Sequence, residues 1–209
     1  FSAYYCYKMP FSAKINLNMP TIVSILGLLF VTNSSVRAKE IVTDTVPDFA
    51  RANESIMINQ RALQTKIVKT ELRWGTRAIT AKSVCARNRH GAEWSGTFSR
   101  TERFIHELNS EIDGGAGQLT FYDSALLREV FRIGEHRAIS RFVDESLRHG
   151  WPSFRASEVI WENVRVLDGG EVVTVDGLHL GHNLPDEHGD RFCINLVCVS
   201  GEKPDKEYL

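Results

Sequence analysis

Apolar residues recur near helical spacing in residues 47–72, a segment rich in residue types that favour helices. The positions with this spacing are Phe49, Ile56, Leu63, Ile67 and Leu72. The pattern predicts an amphipathic helix that ends near Trp74 and Gly75. A second helix is predicted over residues 101–112, where a glycine-rich turn follows, and the mixed pattern of residues 124–142 allows a third.

After Trp151 the pattern changes to short strands separated by turns. Val164 and Val166 alternate with polar residues, a turn follows at residues 168–170, and residues 171–175 return, which predicts a hairpin. Residues 191–200 predict a further strand. We therefore expect a mainly β protein of the α+β class, with an N-terminal helical extension.

Residues 9–38 have the layout of a secretory signal peptide. Lys14 precedes an apolar run over residues 22–31, and Val36-Arg37-Ala38 is an acceptable cleavage site. The apolar run is shorter than the roughly 20 residues of a bilayer span, so we predict export to the periplasm or the exterior, without stable membrane insertion. A membrane anchor and a buried N-terminal helix are the alternatives. The remaining segments are assigned as a helical extension (39–82), a main domain (83–201) and a polar tail (202–209).

Composition narrows the class of protein. The 209 residues are 43% hydrophobic and 24% charged, which is typical of a soluble globular domain. With 25 Lys+Arg against 26 Asp+Glu, the chain lacks the basic excess expected of a nucleic-acid-binding protein. Its four cysteines include no Cys-x-x-Cys pair, which argues against a disulfide scaffold or a zinc ribbon.

The last predicted strand carries the candidate chemistry. Side chains alternate along a strand, so Arg191, Cys193 and Asn195 share one face, while Ile194 and Cys198 belong to an apolar face. A cation near a thiol lowers the thiol pKa and increases the nucleophilic thiolate fraction. Cys193 is therefore the candidate nucleophile, although a cysteine can also act as a small hydrophobic residue.

Two histidines precede this strand, at His179 and His182. They can act as acids and bases, since histidine titrates near neutral pH, or they can bind a metal. A credible zinc site needs a third ligand. His188 is the local candidate, but no carboxylate or cysteine has a suitable spacing, so we predict no metal.

Three motifs, in order, resemble a known family. They are Gly150-Trp151-Pro152-Ser153-Phe154, His179-Leu180-Gly181-His182 and Arg191-Phe192-Cys193-Ile194-Asn195. They resemble the peptide-methionine (R)-S-oxide reductases, the B-type methionine sulfoxide reductases. A weaker match upstream is Gly91-Ala92-Glu93-Trp94-Ser95-Gly96.

The resemblance implies a β-tent-like fold of two antiparallel sheets and reduction of the R epimer of methionine sulfoxide in oxidised proteins. It makes Cys193 the nucleophile that becomes a sulfenic acid, with His179 and His182 as the catalytic histidines. It also implies flanking roles for Arg191 and Asn195. Substrate binding is assigned to Trp151, against which the sulfoxide methyl group packs, and to Phe154. A thioredoxin-like or other thiol donor would supply electrons, with no bound cofactor.

The sequence departs from the family at its other cysteines. The two Cys-x-x-Cys pairs that bind structural zinc are missing, so zinc is not expected, and His149 stands at the usual resolving position. In a regular strand Cys198 would lie about 16 Å from Cys193, whereas a disulfide needs Cα atoms within about 7 Å. Cys85 lies in the upstream matching segment, from which a loop can bring it to Cys193, so it is the predicted resolving thiol, with direct reduction by an external thiol as the alternative.

Two other functions compete with the enzyme. One is an inactive module of the same fold that binds methionine-rich or oxidised segments through Trp151. The other is a metal-binding protein that uses His179, His182 and His188.

Overall fold

Two β-sheets organise the protein in the computed structural model, which describes residues 44–67, 69–87, 91–114 and 117–204. The strands are β1 (Arg51–Ala52), β2 (Leu119–Tyr122), β3 (Glu129–Ile133), β4 (Ser153–Arg155), β5 (Val164–Leu167), β6 (Glu171–Thr174), β7 (His179–Asn183) and β8 (Arg191–Ile194). One sheet has the strand order β1-β5-β6-β7-β8-β4, and the other pairs β2 with β3. The predicted mainly β, α+β class with two sheets is confirmed. The larger sheet is mixed, because β1 runs parallel to β5 while its other pairs are antiparallel.

Helices lie mainly in the first half of the described chain. The α-helices are α1 (Gln60–Lys66), α2 (Ala78–Val84), α3 (Thr97–Arg100), α4 (Glu102–Asp113) and α5 (Ile139–His149). Short 3-10 helices cover Asp48–Ala50, Glu54–Asn59, Arg73–Gly75, Ala156–Glu158 and Leu196–Val199.

The prediction of one continuous helix over residues 47–72 is wrong. Short helical elements alternate there with β1, whose two residues pair with Val166 and Leu167 and are therefore extended. The apolar spacing holds only in the second half of the segment. Leu63 and Ile67 are buried, whereas Phe49 is 68% exposed.

The second predicted helix is confirmed as α4, which buries Phe104 and Leu108. The prediction of a third helix over residues 124–142 is wrong. That segment contains β3, which pairs with β2 through residues such as Phe131, and α5 begins only at Ile139. Pairing with β2 lets β3 bury its apolar residues in the core, and this tertiary contact decides the structure.

The predicted hairpin is confirmed as β5 and β6, with Val164 opposite Thr174. The final strand is shorter than predicted. β8 ends at Ile194, and the 3-10 helix Leu196–Val199 follows. The chain therefore changes direction at Leu196, three residues after Cys193.

Aromatic rings fill the space between the sheets and the helices. The ring of Phe154 stacks on Phe131, with centroids 4.3 Å apart, and meets Phe121 and Phe142 at 5.0 Å each. All four side chains are fully buried. This cluster forms the centre of the hydrophobic core beneath β4 and β8.

A disulfide joins Cys85, at the end of α2, to Cys198 in the last 3-10 helix, with Cα atoms 5.5 Å apart. Both residues are fully buried. The prediction of Cys85 as the resolving thiol is therefore corrected, because its sulfur is already bonded to Cys198. The break in the strand after Ile194 makes this pairing possible.

No helix within the described residues is long and apolar enough to span a membrane. The predicted signal peptide over residues 9–38 lies outside the described residues, as does part of the predicted polar tail.

Candidate active site

A row of polar side chains crosses four strands on one face of the larger sheet. Cys193 lies directly opposite Ser153 on β4 and opposite His182 on β7, and His182 lies opposite Glu171 on β6. Directly opposite residues of antiparallel strands point to the same face, with Cβ atoms about 4.5–5.5 Å apart. Cys193 is half-buried and, among the cysteines that the structure describes, is the one outside the disulfide. The row therefore places a thiol between a hydroxyl and an imidazole.

An irregularity in β7 brings both predicted histidines to this face. Residues three apart on a regular strand point to opposite faces. Here the pairing shifts, so that Gly181 faces Val172 while His179 faces Val173, and Leu180 is the extra residue of a β-bulge. The rings of His179 and His182 consequently meet, with centroids 5.2 Å apart.

Glu171 orients the buried His179. The Nδ1 atom of His179 lies 2.8 Å from Oε1 of Glu171. An ionised carboxylate can only accept a hydrogen bond, so Nδ1 is the donor when Glu171 is ionised, and a neutral ring then has Nε2 as its acceptor. The side-chain amide of Asn195 lies 3.4 Å from that Nε2. Sequence reasoning missed Glu171, and its position in the hairpin strand before the histidines is the signal that could have found it.

Asn195 connects the histidine to a second segment. Its Nδ2 donates to the carbonyl of Leu180 at 3.2 Å, and its Oδ1 accepts the backbone N–H of Glu93 at 2.9 Å. Asn195 is 4% exposed. Because β8 ends just before it, its side chain bridges β7 and the segment around Glu93.

Trp151 is half-buried beside this bridge. Its indole Nε1 donates to the carbonyl oxygen of Glu93 at 3.1 Å. Gly150 adopts a φ of +87°, and a Cβ there would lie 2.1 Å from Oγ of Ser95. The N–H of Gly96 also donates to the carbonyl of Gly150 at 2.7 Å. The glycine thus allows the two family-like segments to lie against each other.

Phe154 does not reach the site. Its register partner on β8 is Phe192, one residue before Cys193, so its ring points to the opposite face and lies in the aromatic core. Its assignment as a substrate-binding residue is wrong. Phe154 instead supports the sheet on which Cys193 lies.

Glu93 is a buried carboxyl group that the sequence analysis did not assign. Its Oε2 accepts the backbone N–H of Val197 at 3.2 Å. Burial raises its pKa to about 7, although hydrogen bonds from the backbone of Val197 and Leu196 act in the opposite direction. Its place inside the weakest of the family-like motifs is the signal that could have identified it.

Arg191 shares the face of Cys193, but its guanidinium group is drawn to a carboxylate. Its Nε lies 3.3 Å from Oδ2 of Asp186. Two hydrogen bonds of 2.9 Å from Arg155 also reach Asp186. These bonds hold the pKa of Asp186 at about 2, and Arg191 adds to the effect. The positive charge of Arg191, which the sequence places beside the thiol, is therefore partly balanced by Asp186.

Further ion pairs anchor α5 to the sheet below the site. Glu145 of α5 binds both Arg137 and Arg155, and Arg137 also binds Glu158 at 2.7 Å. Burial raises the pKa of Glu145 and the arginine hydrogen bonds lower it, with a net lowering. This network fixes β4 and, through Asp186, the start of β8.

The described residues offer one cluster with metal-ligating geometry, formed by Glu145, His149 and Asp186. Both of its carboxylates already bind Arg155, whose charge opposes a cation. Burial and the nearby Arg191 lower the pKa of His149. A neutral imidazole can bind a metal, but Arg155 already neutralises both carboxylates, so the cluster suits an ion-pair network better than a metal.

The three histidines of the metal-binding alternative do not form a ligating group in the described part of the chain. His179 is fully buried, whereas the side chain of His188 is 71% exposed on the loop between β7 and β8. The observed geometry thus gives that alternative no support.

No known protein family, curated protein or solved structure matches this chain. The family resemblance consequently rests on the motifs alone, and any function must be argued from the site itself.

Proposed function

We propose that this chain is a thiol oxidoreductase that reduces methionine-R-sulfoxide in proteins to methionine, with Cys193 as the nucleophile. The observation that carries the proposal is the shared face on which Cys193 lies directly opposite His182. A half-buried thiol beside the imidazole of His182 supplies a nucleophile and a proton donor, and a second imidazole, that of His179, is oriented by Glu171.

The reaction needs one thiol and one proton donor. The thiolate of Cys193 attacks the electrophilic sulfur of the sulfoxide, and the sulfoxide oxygen takes a proton. The transient bond between the two sulfurs and the S–O bond of the substrate then break as the hydroxyl passes to the cysteine sulfur, which leaves Cys193 as a sulfenic acid and releases methionine. Two electrons pass from the cysteine sulfur to the substrate sulfur, so the step is balanced.

We assign the proton transfer to His182, because its side chain is the imidazole directly opposite Cys193. His179 holds a different position, since its Nδ1 is bound to Glu171 and its Nε2 faces Asn195. In this proposal His179 orients the site and supports His182 through the contact between their rings.

Trp151 is the proposed binding surface for the methyl group of the sulfoxide. Its ring is half-buried and its indole N–H is fixed by the carbonyl of Glu93, so the ring presents a defined apolar face. This assignment rests on the position of Trp151 two residues before Ser153, the register partner of Cys193.

The return of Cys193 to the thiol requires an external donor in this proposal. Cys85 and Cys198 are bonded to each other, so neither can resolve the sulfenic acid directly. A dithiol donor, such as a thioredoxin-like protein, would reduce the sulfenic acid, release water and become a disulfide.

Export of the protein is proposed from the leader sequence at residues 9–38. A buried structural disulfide fits that proposal, because such bonds persist in oxidising compartments.

The decisive experiment is a stereospecific assay. We expect the protein to reduce N-acetylmethionine-R-sulfoxide with dithiothreitol and to leave the S epimer unchanged. Cys193→Ser should abolish turnover, because a hydroxyl cannot form the sulfenic acid. The double variant Cys85→Ser/Cys198→Ser is the matched control and should retain turnover when assayed below its unfolding temperature.

Wild-type rates in Cys193→Ser would overturn the assignment of the nucleophile. Equal reduction of both epimers, or reduction of neither, would overturn the proposed substrate.

A further inference from the structure

Glu93 contacts three elements of the candidate site at once. Its backbone N–H donates to the side chain of Asn195, and its carbonyl accepts from the indole of Trp151. Its carboxylate accepts from the backbone of Val197, in the 3-10 helix that follows Asn195. One residue thus joins the two segments that hold the proposed binding surface and the amide next to His179.

A carboxyl group is a costly choice for such a junction. Glu93 is 9% exposed, and burial of a charged group is unfavourable unless it is well hydrogen-bonded. A hydrogen bond from a backbone N–H to a carboxylate is stronger than one to a neutral oxygen. The hydrogen bonds from the backbone of Val197 and Leu196 offset part of this cost.

We propose that Glu93 is a positioning residue for the candidate active site, whose carboxylate ties the turn after Asn195 to the segment that holds Trp151. Through this connection Glu93 fixes the indole of Trp151 and the amide of Asn195 relative to each other. Only its effect on KM for the sulfoxide rests on the proposed function; its effect on the two side chains does not.

Several titratable or charged groups lie on the elements around Glu93. β8 carries Arg191 and Cys193, His149 precedes Trp151 by two residues, and His179 is reached through Asn195. Since burial raises the pKa of Glu93 to about 7, its charge changes in the range where histidines also titrate. A variant that removes only the Glu93 carboxyl group can separate the titration of Glu93 from that of the histidines.

The test compares Glu93→Ala and Glu93→Gln with the full-length wild-type protein. Two-dimensional NMR of the 15N-labelled protein reports the indole N–H of Trp151 and the side-chain amide of Asn195. The control is Asp123→Asn, because Asp123 is also a buried carboxyl that accepts backbone N–H groups, but only within its own turn.

We expect Glu93→Ala to shift both resonances and to raise KM for N-acetylmethionine-R-sulfoxide about tenfold, the effect of one lost hydrogen bond. Glu93→Gln keeps an acceptor oxygen and should stay close to wild type at pH 6. The Asp123→Asn control should leave both resonances in place. Unshifted resonances in a folded Glu93→Ala, or equal shifts in the control, would overturn the proposal.

If Glu93→Ala does not fold, a pH titration of the wild type and Glu93→Gln tests the positioning role of Glu93. The indole resonance of Trp151 should titrate near pH 7 in the wild type and lose this transition in Glu93→Gln. An unchanged transition in Glu93→Gln would assign it to the histidines and overturn the proposal. If the resonances behave as expected while the wild type reduces no sulfoxide, Glu93 still positions these side chains and the proposed function alone is wrong.

Discussion

His182 and Cys193 lie directly opposite each other on neighbouring antiparallel strands. Strand pairing fixes this relationship through the backbone, so it does not depend on a flexible loop. The imidazole and the thiol are therefore held on one face of the sheet before any substrate binds. Preorganisation of this kind lowers the cost of bringing a nucleophile and a proton donor together.

Replacement of His182 by Gln should lower kcat for the R sulfoxide by about 10²–10⁴-fold, the usual contribution of a positioned acid. His188→Gln is the matched control, since His188 is exposed on the adjacent loop, and it should keep wild-type kcat. Steady-state kinetics with dithiothreitol provides the measurement. Equal effects of the two substitutions would contradict the assigned proton donor.

Glu171→Gln should lower kcat about tenfold, because a charged hydrogen bond to His179 becomes a neutral one. This loss is smaller than the one expected for His182→Gln. The expected effect is on kcat, since Glu171 acts through His179. Glu187→Gln, at a side chain that is 85% exposed, serves as the control. A change in KM alone would indicate that Glu171 affects substrate binding and would contradict the assigned role.

Removal of the disulfide in Cys85→Ser/Cys198→Ser should lower the free energy of unfolding by about 2–4 kcal/mol. The bond closes a long loop, with a sequence separation of 113 residues, and so restricts the unfolded chain. Urea denaturation of the wild type with and without reductant measures the effect. The fully reduced wild type should approach the stability of the double variant. If complete reduction left the stability of the wild type unchanged, the pairing of Cys85 with Cys198 would be contradicted.

The stability difference between Glu93→Gln and the wild type should depend on pH. The folded-state pKa of Glu93 is raised by burial from 4.5 to about 7. The folded wild type therefore holds a proton that the unfolded chain releases, and its stability falls as the pH rises from 4.5 to 7. Glutamine does not titrate, so the free energy of unfolding of Glu93→Gln should rise relative to that of the wild type by about 1–3 kcal/mol between pH 5 and pH 8. If the difference in free energy of unfolding between the two proteins stayed constant with pH, burial would not shift the pKa of Glu93.

The helix α4 and the hairpin of β5 and β6 could be predicted because their apolar spacing matches a regular period. The side chain of Phe154 could not be assigned correctly, since a motif does not state which face of β4 belongs to the core. The strand β3 was also missed, because pairing with β2 decides its conformation and local pattern does not.

Within the site, the face shared by Arg191 and Cys193 follows from simple alternation. The meeting of His179 and His182 does not, because three-residue spacing on a strand separates side chains unless a bulge such as that at Leu180 intervenes. Pairing of the two cysteines was missed for a related reason, namely that β8 ends before Cys198.

The bond between Cys85 and Cys198 encloses every strand from β2 to β8 within one covalent ring. A single cut in the backbone anywhere inside that ring leaves both pieces attached to each other. Limited proteolysis within residues 86–197 would therefore give a nicked molecule of nearly unchanged mass, which separates into two fragments only after reduction. The order of digestion and reduction thus decides whether damage to this protein can be seen on a gel.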